Sequence, residues 1–265
     1  MIALVEKPQI TWEKLPDDFP LPDDPVDNIS QLYLAEGLTN SLETANLLAE
    51  NALVASNYPV CATLDGKVVV KAPDWMYVPH LKVPLVEVNR SYTPQLQGDI
   101  PIIVMEFLSY TEGQEYSSKP TYPPGKWFYY EQVLKVPNYL IFEPEEGRLE
   151  AYQLDNTGRY QLRQPDGNNR YILEPWPLFL GVWQGTMRNR TGYWLRWWDE
   201  SGNLLPWSLE QIEQERQRTE QERQRAEQVE KAQRESIPRL LDMGLSVEQV
   251  ANALGIPVEE VENRE

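Results

Sequence analysis

Two acidic residues, Asp74 and Glu106, stand beside strongly apolar, β-prone segments of the sequence. Asp74 follows KVVVKAP at 67–73, and Glu106 follows IPIIVM at 100–105. A buried strand usually excludes ionisable side chains, because an unpaired charge away from water is costly. Two carboxylates at predicted strand ends therefore indicate a site that a divalent cation such as Mg²⁺ could neutralise. Lys126 occurs at the start of a predicted helix of about ten residues, from Gly125 to Lys135, and completes the candidate site.

Carboxylates and a lysine beside a hard metal ion are suited to hydrolysis of a phosphodiester bond. The carboxylates would hold Mg²⁺, and the lysine would orient water or stabilise developing negative charge. A pair of acids also serves glycoside hydrolysis, but strand-end acids with a lysine fit phosphate chemistry better. An Asp after a Pro at a strand end is also common without any catalytic role, so the spacing alone leaves a structural role open.

The scarcity of histidine and cysteine excludes several other kinds of site. The chain of 265 residues has one histidine, His80, and one cysteine, Cys61. An ordinary His/Cys zinc site cannot be assembled in one chain, and a Ser-His-Asp or Cys-His system would depend on His80, which we expect at the surface. Phosphate-binding glycine motifs of the GxxxxGK[ST] and GxGxxG types are also missing.

The sequence shows no feature of a membrane or secreted protein. No apolar run reaches the 18 or more residues that span a bilayer. The first residues lack the basic start and apolar block of a signal peptide, and a single cysteine cannot form a disulfide within the chain. We therefore expect a cytoplasmic protein without a membrane partner.

The net charge of −17 opposes nonspecific binding of the whole chain to nucleic acid. Affinity for DNA depends largely on Lys and Arg, which release counterions from phosphates. A local basic groove could still bind DNA. The segment GTMRNRTGYWLR at 185–196 is one basic stretch that could contact phosphates.

Patterns of apolar and turn residues predict a mixed α/β domain over residues 29–207, preceded by an irregular arm rich in Pro and Asp at 1–28. Helical spacing predicts a helix from about residue 30 to 52. Asp65-Gly66 predicts a tight hairpin turn between two short strands, and the second of them is expected to continue through Pro73 to residues 76–78. A run of six tryptophans favours a core or a covering flap over a base-stacking surface; they are Trp176, Trp183, Trp194, Trp197, Trp198 and Trp207.

The composition changes sharply at residue 208. EQERQRT at 213–219 is followed by EQERQRA at 220–226, which predicts a spacer helix or a weak coiled coil over 208–236. Residues 237–265 have the helix starts and stops of a small helix-turn-helix unit, with Ser246 as a cap. That unit is acidic from residue 247 onward, so contact with another protein remains as open as contact with DNA.

Several motifs, taken in order, resemble a known family. They are PD at 73–74, the apolar-E-F-L-S segment at 102–109, a lysine four residues before Tyr130, and VPNYLIFEP at 136–144. Together they resemble the Uma-type endonuclease family, which belongs to the restriction-endonuclease-like PD-(D/E)XK superfamily. The resemblance covers roughly residues 20–200 and leaves out the helical tail.

The resemblance implies an α/β fold with a mixed β-sheet flanked by helices, and Mg²⁺-dependent cleavage of DNA. By resemblance, Asp74 and Glu106 bind Mg²⁺, or Mn²⁺ in its place. The superfamily lysine lies two residues after the glutamate, where this chain has Leu108. Lys126 matches the family pattern instead, and Lys119 is an alternative.

Two questions stay open at the level of sequence. The helical tail could support a homodimer or bind a protein partner. The strong negative charge also favours a rival interpretation, in which the chain keeps a nuclease fold without catalysis and acts through its C-terminal helices.

Overall fold

A computed structural model describes residues 9–14, 29–108 and 114–262. By its contacts the chain divides into two compact units, Met1–Trp207 and Ser208–Glu265. The strands, in chain order, are β1 (Ile10–Thr11), β2 (Leu53–Ala55), β3 (Val60–Leu64), β4 (Lys67–Lys71), β5 (Trp75–Val78), β6 (Ile103–Phe107), β7 (Asn138–Glu143), β8 (Arg148–Leu154), β9 (Tyr160–Leu162), β10 (Arg170–Leu173), β11 (Leu178–Met187) and β12 (Arg190–Trp198). The helices are α1 (Ile29–Thr44), α2 (Lys126–Phe128), α3 (Ser208–Asp242), α4 (Val247–Leu254) and α5 (Val258–Glu262), with a short 3₁₀ turn at Leu85–Glu87 and a π-helical turn at Tyr129–Leu134.

The first unit is built on a six-stranded mixed sheet in the order β2-β5-β6-β7-β8-β9. Strands β6 and β7 pair in parallel, and every other neighbouring pair in this sheet is antiparallel. All five residues of β6 are buried, as expected for an apolar central strand that is covered on both faces. The predicted mixed α/β, restriction-endonuclease-like fold with a C-terminal helical extension is confirmed.

One face of this sheet packs against α1 and against a second sheet of order β10-β11-β12. Five of the six tryptophans predicted as core are buried, and Trp183 packs against them. The indole N–H of Trp197 donates to the carbonyl of Leu38 in α1 at 3.1 Å. The interpretation of the aromatic run as core is therefore confirmed.

The opposite face is covered by a small sheet of order β1-β3-β4 and by α2 with the π-helical turn. The β3–β4 hairpin turns at Asp65 and Gly66, whose φ angles are +51° and +73°, in agreement with the predicted turn. Strand β1 shows that residues 10–11 of the predicted irregular arm are paired with β3; residues 1–8 and 15–28 of that arm lie outside the described residues.

Two boundaries differ from the sequence predictions. Strands β4 and β5 belong to different sheets, whereas the sequence favoured one strand running through Pro73. Proline has no N–H to donate to a sheet ladder, and the chain changes sheets at this point. Helix α1 ends at Thr44 and not at residue 52, because Asn46 adopts a left-handed conformation with φ of +54°.

The second unit consists of α3, α4 and α5. Ser246 caps α4 with a reciprocal capping box to Gln249, as the sequence predicts for a helix start. Ile237, Val250, Ala251 and Val261 form its small core. Helix α3 continues through Pro238 without a break, so the spacer helix and the first helix of the predicted helix-turn-helix unit are one helix. Within the described ranges, no helix is both long and apolar enough to cross a bilayer.

Candidate active site

The register of the central sheet brings Asp74 and Glu106 side by side. In the antiparallel pair β5–β6, Trp75 opposes Met105 and Met76 opposes Val104. Side chains alternate between the two faces of a strand, so Asp74 lies on the face of Met76 and Glu106 on that of Val104. Both Met76 and Val104 belong to the core beneath α2. The two carboxylates therefore face the same layer from adjacent strands.

Hydrogen bonds fix both carboxyl groups. The Oδ2 atom of Asp74 accepts from the backbone N–H of Phe107 at 2.5 Å, and the two carboxyl groups are close enough to share a hydrogen bond. Glu106 is fully buried. Its Oε1 atom accepts from the Tyr130 hydroxyl and its Oε2 atom from Nζ of Lys126, each at 2.9 Å.

The short helix α2 positions Lys126 above the carboxylates. Gly125 precedes it in extended conformation, and a Cβ atom there would lie 2.0 Å from the carbonyl oxygen of Ser117. Only glycine allows this close approach. Lys126 and Tyr130 are four residues apart, so one helical face presents both groups to Glu106.

Lys126 lies between two carboxylates. Its Nζ atom is 2.9 Å from Oε2 of Glu106 and 3.2 Å from Oε1 of Glu115. The side chain of Lys119 is exposed, and within the described residues it makes no ion pair. The backbone carbonyl of Lys119 accepts from Gly125 N–H at 2.9 Å. The structure thus brings Lys126, and not Lys119, to the predicted acids.

Three other residues complete the surroundings of the site. Tyr130 donates to Glu106, and Glu115 accepts from Lys126. Gln31 of α1 donates to the carbonyl of Phe107 at 2.9 Å. The four-residue spacing from Lys126 could have indicated Tyr130. Glu115 and Gln31 carry no comparable signal, because a polar loop and a distant helix give no pattern that predicts long-range contacts.

Burial and neighbouring charges shift the pKa values of all three predicted residues. Burial raises the pKa of Glu106 from near 4.5 to about 8, and the charge of Asp74 adds to the rise, while Lys126 and Tyr130 oppose it. Burial also raises the pKa of Asp74. Burial lowers the pKa of Lys126, but the nearby carboxylates raise it above its ordinary value. Both acids therefore hold a proton more tightly than an exposed carboxyl group does.

The raised pKa of Glu106 predicts a pH-dependent stability in the absence of metal. Between pH 4.5 and about 8 the unfolded chain has lost this proton and the folded protein keeps it. The free energy of unfolding should therefore fall as pH rises through this range, by at most about 1.4 kcal/mol per pH unit. Thermal unfolding of wild type and Glu106→Gln across this pH range checks this. The variant lacks the titrating carboxyl group, so only the wild type should show this fall in the free energy of unfolding. Parallel pH curves for the two proteins would contradict it.

Replacing Tyr130 by phenylalanine should raise the pKa of Glu106 further, because the lost hydrogen bond favours the carboxylate. At a fixed Mg²⁺ concentration, we expect the pH at which half of the protein binds Mg²⁺ to move upward. The free energy of unfolding should fall by about 1–3 kcal/mol. Tyr129→Phe is the matched control, since Tyr129 is equally buried but donates to the carbonyl of Val60. It should lose similar stability without the pH shift. An equal shift in both variants would show that Tyr130 does not act through Glu106.

The oxygen donors fit a hard divalent cation. Mg²⁺ commonly takes one or two carboxylates and keeps several waters, which matches the paired oxygens of Asp74 and Glu106. In the part of the chain that the structure describes, no group of three or more His, Cys, Asp and Glu side chains is arranged to hold a metal ion. The protein itself would therefore supply a minimal ligand set, with the remaining positions left for water and phosphate.

Other residues considered from the sequence lie away from this site. His80 is mostly exposed, and its Nδ1 atom is 3.5 Å from Asp99. The basic stretch at 185–196 is divided: Arg188 pairs with Glu36 at the surface. Arg196 is fully buried, with its guanidinium 3.5 Å from the ring centre of Trp207. Arg196 is therefore part of the core and does not contact phosphates.

Comparison with known proteins gives one family. The model of the Uma2 family, described as "Putative restriction endonuclease", matches residues 24–184. The matched range covers more than half of the chain and contains Asp74, Glu106 and Lys126. A search of curated proteins found no match.

Proposed function

Because the chain belongs to the Uma2 family of restriction endonucleases, we propose that it is a Mg²⁺-dependent endonuclease that hydrolyses phosphodiester bonds in DNA. The convergence of Asp74, Glu106 and Lys126 carries this proposal. Lys126 lies 2.9 Å from the fully buried carboxylate of Glu106, and Asp74 lies beside it; this arrangement is suited to metal-dependent hydrolysis of a phosphodiester bond.

In this proposal Asp74 and Glu106 hold the cation. The backbone N–H of Phe107 fixes the carboxylate of Asp74, and Tyr130 fixes that of Glu106. When bound, Mg²⁺ would supply Lewis acidity toward the scissile phosphate and lower the pKa of a bound water. Mn²⁺ prefers similar oxygen ligands and is expected to substitute.

Lys126 would serve the phosphate. Its ammonium stays charged because the neighbouring carboxylates raise its pKa. It is about one-fifth exposed, so it lies at the boundary between the buried acids and the solvent. From there it can donate hydrogen bonds to a phosphate oxygen and stabilise the negative charge that develops during hydrolysis.

Conversion of supercoiled plasmid to nicked and linear forms tests the proposal. Wild type should convert the plasmid with Mg²⁺ or Mn²⁺ and should not do so with a chelator present. Glu50→Gln, which changes an exposed carboxylate far from the site in sequence, is the preparation control and should cleave like wild type. Absence of cleavage with either metal, across several DNA sequences, would count against a nuclease.

A second candidate is a catalytically silent interaction protein that acts through its tail. One observation favours it: α3 exposes more than half of the side chains of Leu209, Ile212 and Val229. Ile212, Thr219 and Ala226 recur at a seven-residue spacing that supports pairing with another helix. The partner could be a second copy of this chain, which would make the protein a homodimer, or another protein.

Sedimentation of the full chain and of Ile212→Lys distinguishes these roles of the tail. A homodimer that depends on α3 should dissociate in the variant. A monomeric wild type would exclude self-association through this helix. The silent interpretation further requires that Mg²⁺ bind no better to wild type than to Glu106→Gln in calorimetry.

A further inference from the structure

The loop that leads to Lys126 lies against strand β4. The hydroxyl of Tyr122 donates to the carbonyl of Val68 at 3.2 Å. Nζ of Lys67 lies 5.2 Å from the centre of the Tyr122 ring, close enough for a cation–π contact. The loop and β4 therefore lie against each other, and the loop leads directly to Lys126.

Strand β4 and the segment from the loop to α2 carry four lysines, here called the lysine rim: Lys67, Lys71, Lys119 and Lys126. Lys67 and Lys71 are the two ends of β4, and the chain continues from Lys71 through only two residues to Asp74. Lys119 and Lys126 are joined through the hydrogen bond from Gly125 N–H to the Lys119 carbonyl. Burial lowers the pKa of Lys71, the charge of Lys126 lowers it further, that of Glu106 raises it and that of Lys119 lowers it, so Lys71 lies near all three groups.

The lysine rim contrasts with the charge of the whole chain. The net charge is −17, yet four of the nine lysines lie on these two adjacent segments. Lys67 and Lys119 are exposed. The carboxylates of Glu106 and Glu115 offset the charge of Lys126, whereas Lys67 and Lys119 form no ion pair among the described residues and are available to an anion. A polyanion that approaches the buried acids would supply that anion at this point.

We propose that the lysine rim binds the phosphate backbone of DNA and guides one strand toward Asp74 and Glu106. Lys67 and Lys119 contact phosphates on either side of the scissile bond, and Lys71 and Lys126 form the inner end of the same track. This inference rests on the proposed function, since it names the surface by which that site takes its substrate. It also explains how a strongly acidic chain binds DNA, because the attraction is confined to one groove.

The test measures DNA binding without metal, so that cleavage does not enter. A fluorescein-labelled duplex is titrated with wild type and with Lys67→Gln/Lys119→Gln at several salt concentrations, using fluorescence anisotropy. The control is Lys14→Gln/Lys82→Gln, which removes the same charge. Lys82 lies in the loop between β5 and β6, and the carbonyl of Glu13, the neighbour of Lys14, accepts from the Thr93 hydroxyl in the same loop. Both double variants leave Asp74, Glu106 and Lys126 unchanged.

We expect the rim variant to bind about tenfold or more weakly, and the slope of log K against log salt to decrease by about 2, one for each lost phosphate contact. The control should keep the wild-type slope. Equal weakening in both double variants, or no change in the rim variant, would overturn the proposal. Failure of wild type to bind DNA would overturn it as well.

Binding and cleavage can fail separately. Rim-dependent binding in a protein that never cleaves with Mg²⁺ would support the lysine rim and count against the endonuclease. Cleavage by wild type with an unchanged salt slope in the rim variant would support the endonuclease and exclude the rim.

Discussion

Replacing Lys126 by methionine should lower the single-turnover rate of DNA cleavage by about 100-fold or more, whereas Lys119→Met should leave that rate unchanged. Lys126 lies 2.9 Å from the buried Glu106, and Lys119 makes no ion pair among the described residues. Removal of one donor that stabilises developing charge commonly costs 10²- to 10³-fold in rate. Methionine preserves the apolar stem of the lysine and removes only its charge and donors.

Saturating enzyme concentration separates the two lysines. Lys119 belongs to the lysine rim, so its substitution should weaken DNA affinity while the rate at saturation stays the same. Loss of Lys126 also removes a cation that lowers the pKa of Glu106, so the residual activity should need a higher pH. A normal rate in Lys126→Met together with a slow rate in Lys119→Met would assign the catalytic lysine to the loop.

Replacing Asp74 by asparagine should lower the cleavage rate by roughly 10²- to 10³-fold, because a neutral amide oxygen is a poor ligand for Mg²⁺. Asparagine keeps an oxygen that can still accept from the N–H of Phe107, so the loop to β5 should remain in place. Plasmid cleavage over a range of Mg²⁺ concentrations measures the effect. Asp242→Asn, which changes an exposed carboxylate at the end of α3, is the matched control.

Thermal unfolding of the Asp74 variant shows whether a lost rate reflects chemistry. Burial raises the pKa of Asp74 and the acids lie together, so the neutral side chain should leave the metal-free protein at least as stable as wild type. Mg²⁺ should raise the unfolding temperature of wild type and not that of the variant. A variant that cleaves like wild type would contradict the assignment of Asp74 as a metal ligand.

Local patterns predicted the elements that carry the acids. The apolar run before Glu106 indicated a buried central strand, and Asp65-Gly66 indicated the β3–β4 turn, because both signals lie within a few residues of sequence. The period of two along a strand then places Asp74 and Glu106 on one face once the β5–β6 register is known. That register is set by long-range strand pairing, which no local pattern in the sequence predicts.

The positions of Lys126 and of the residues around it depended still more on tertiary structure. Lys126 is 20 residues from Glu106, and a three-residue helix followed by a π-helical turn brings it there. The predicted ten-residue helix places the lysine in the correct segment but does not give its orientation. Gln31 is 76 residues from Phe107, so only the folded chain shows that α1 borders the site.

The Mg²⁺ dependence of single-turnover plasmid cleavage by wild type and Glu106→Gln tests most directly whether this carboxylate pair binds the cation on which cleavage depends. The wild-type rate should rise from the chelator baseline to saturation, and the variant should stay near baseline at every Mg²⁺ concentration. The same saturation curve for both proteins, or cleavage by wild type without any divalent cation, would contradict the proposed site.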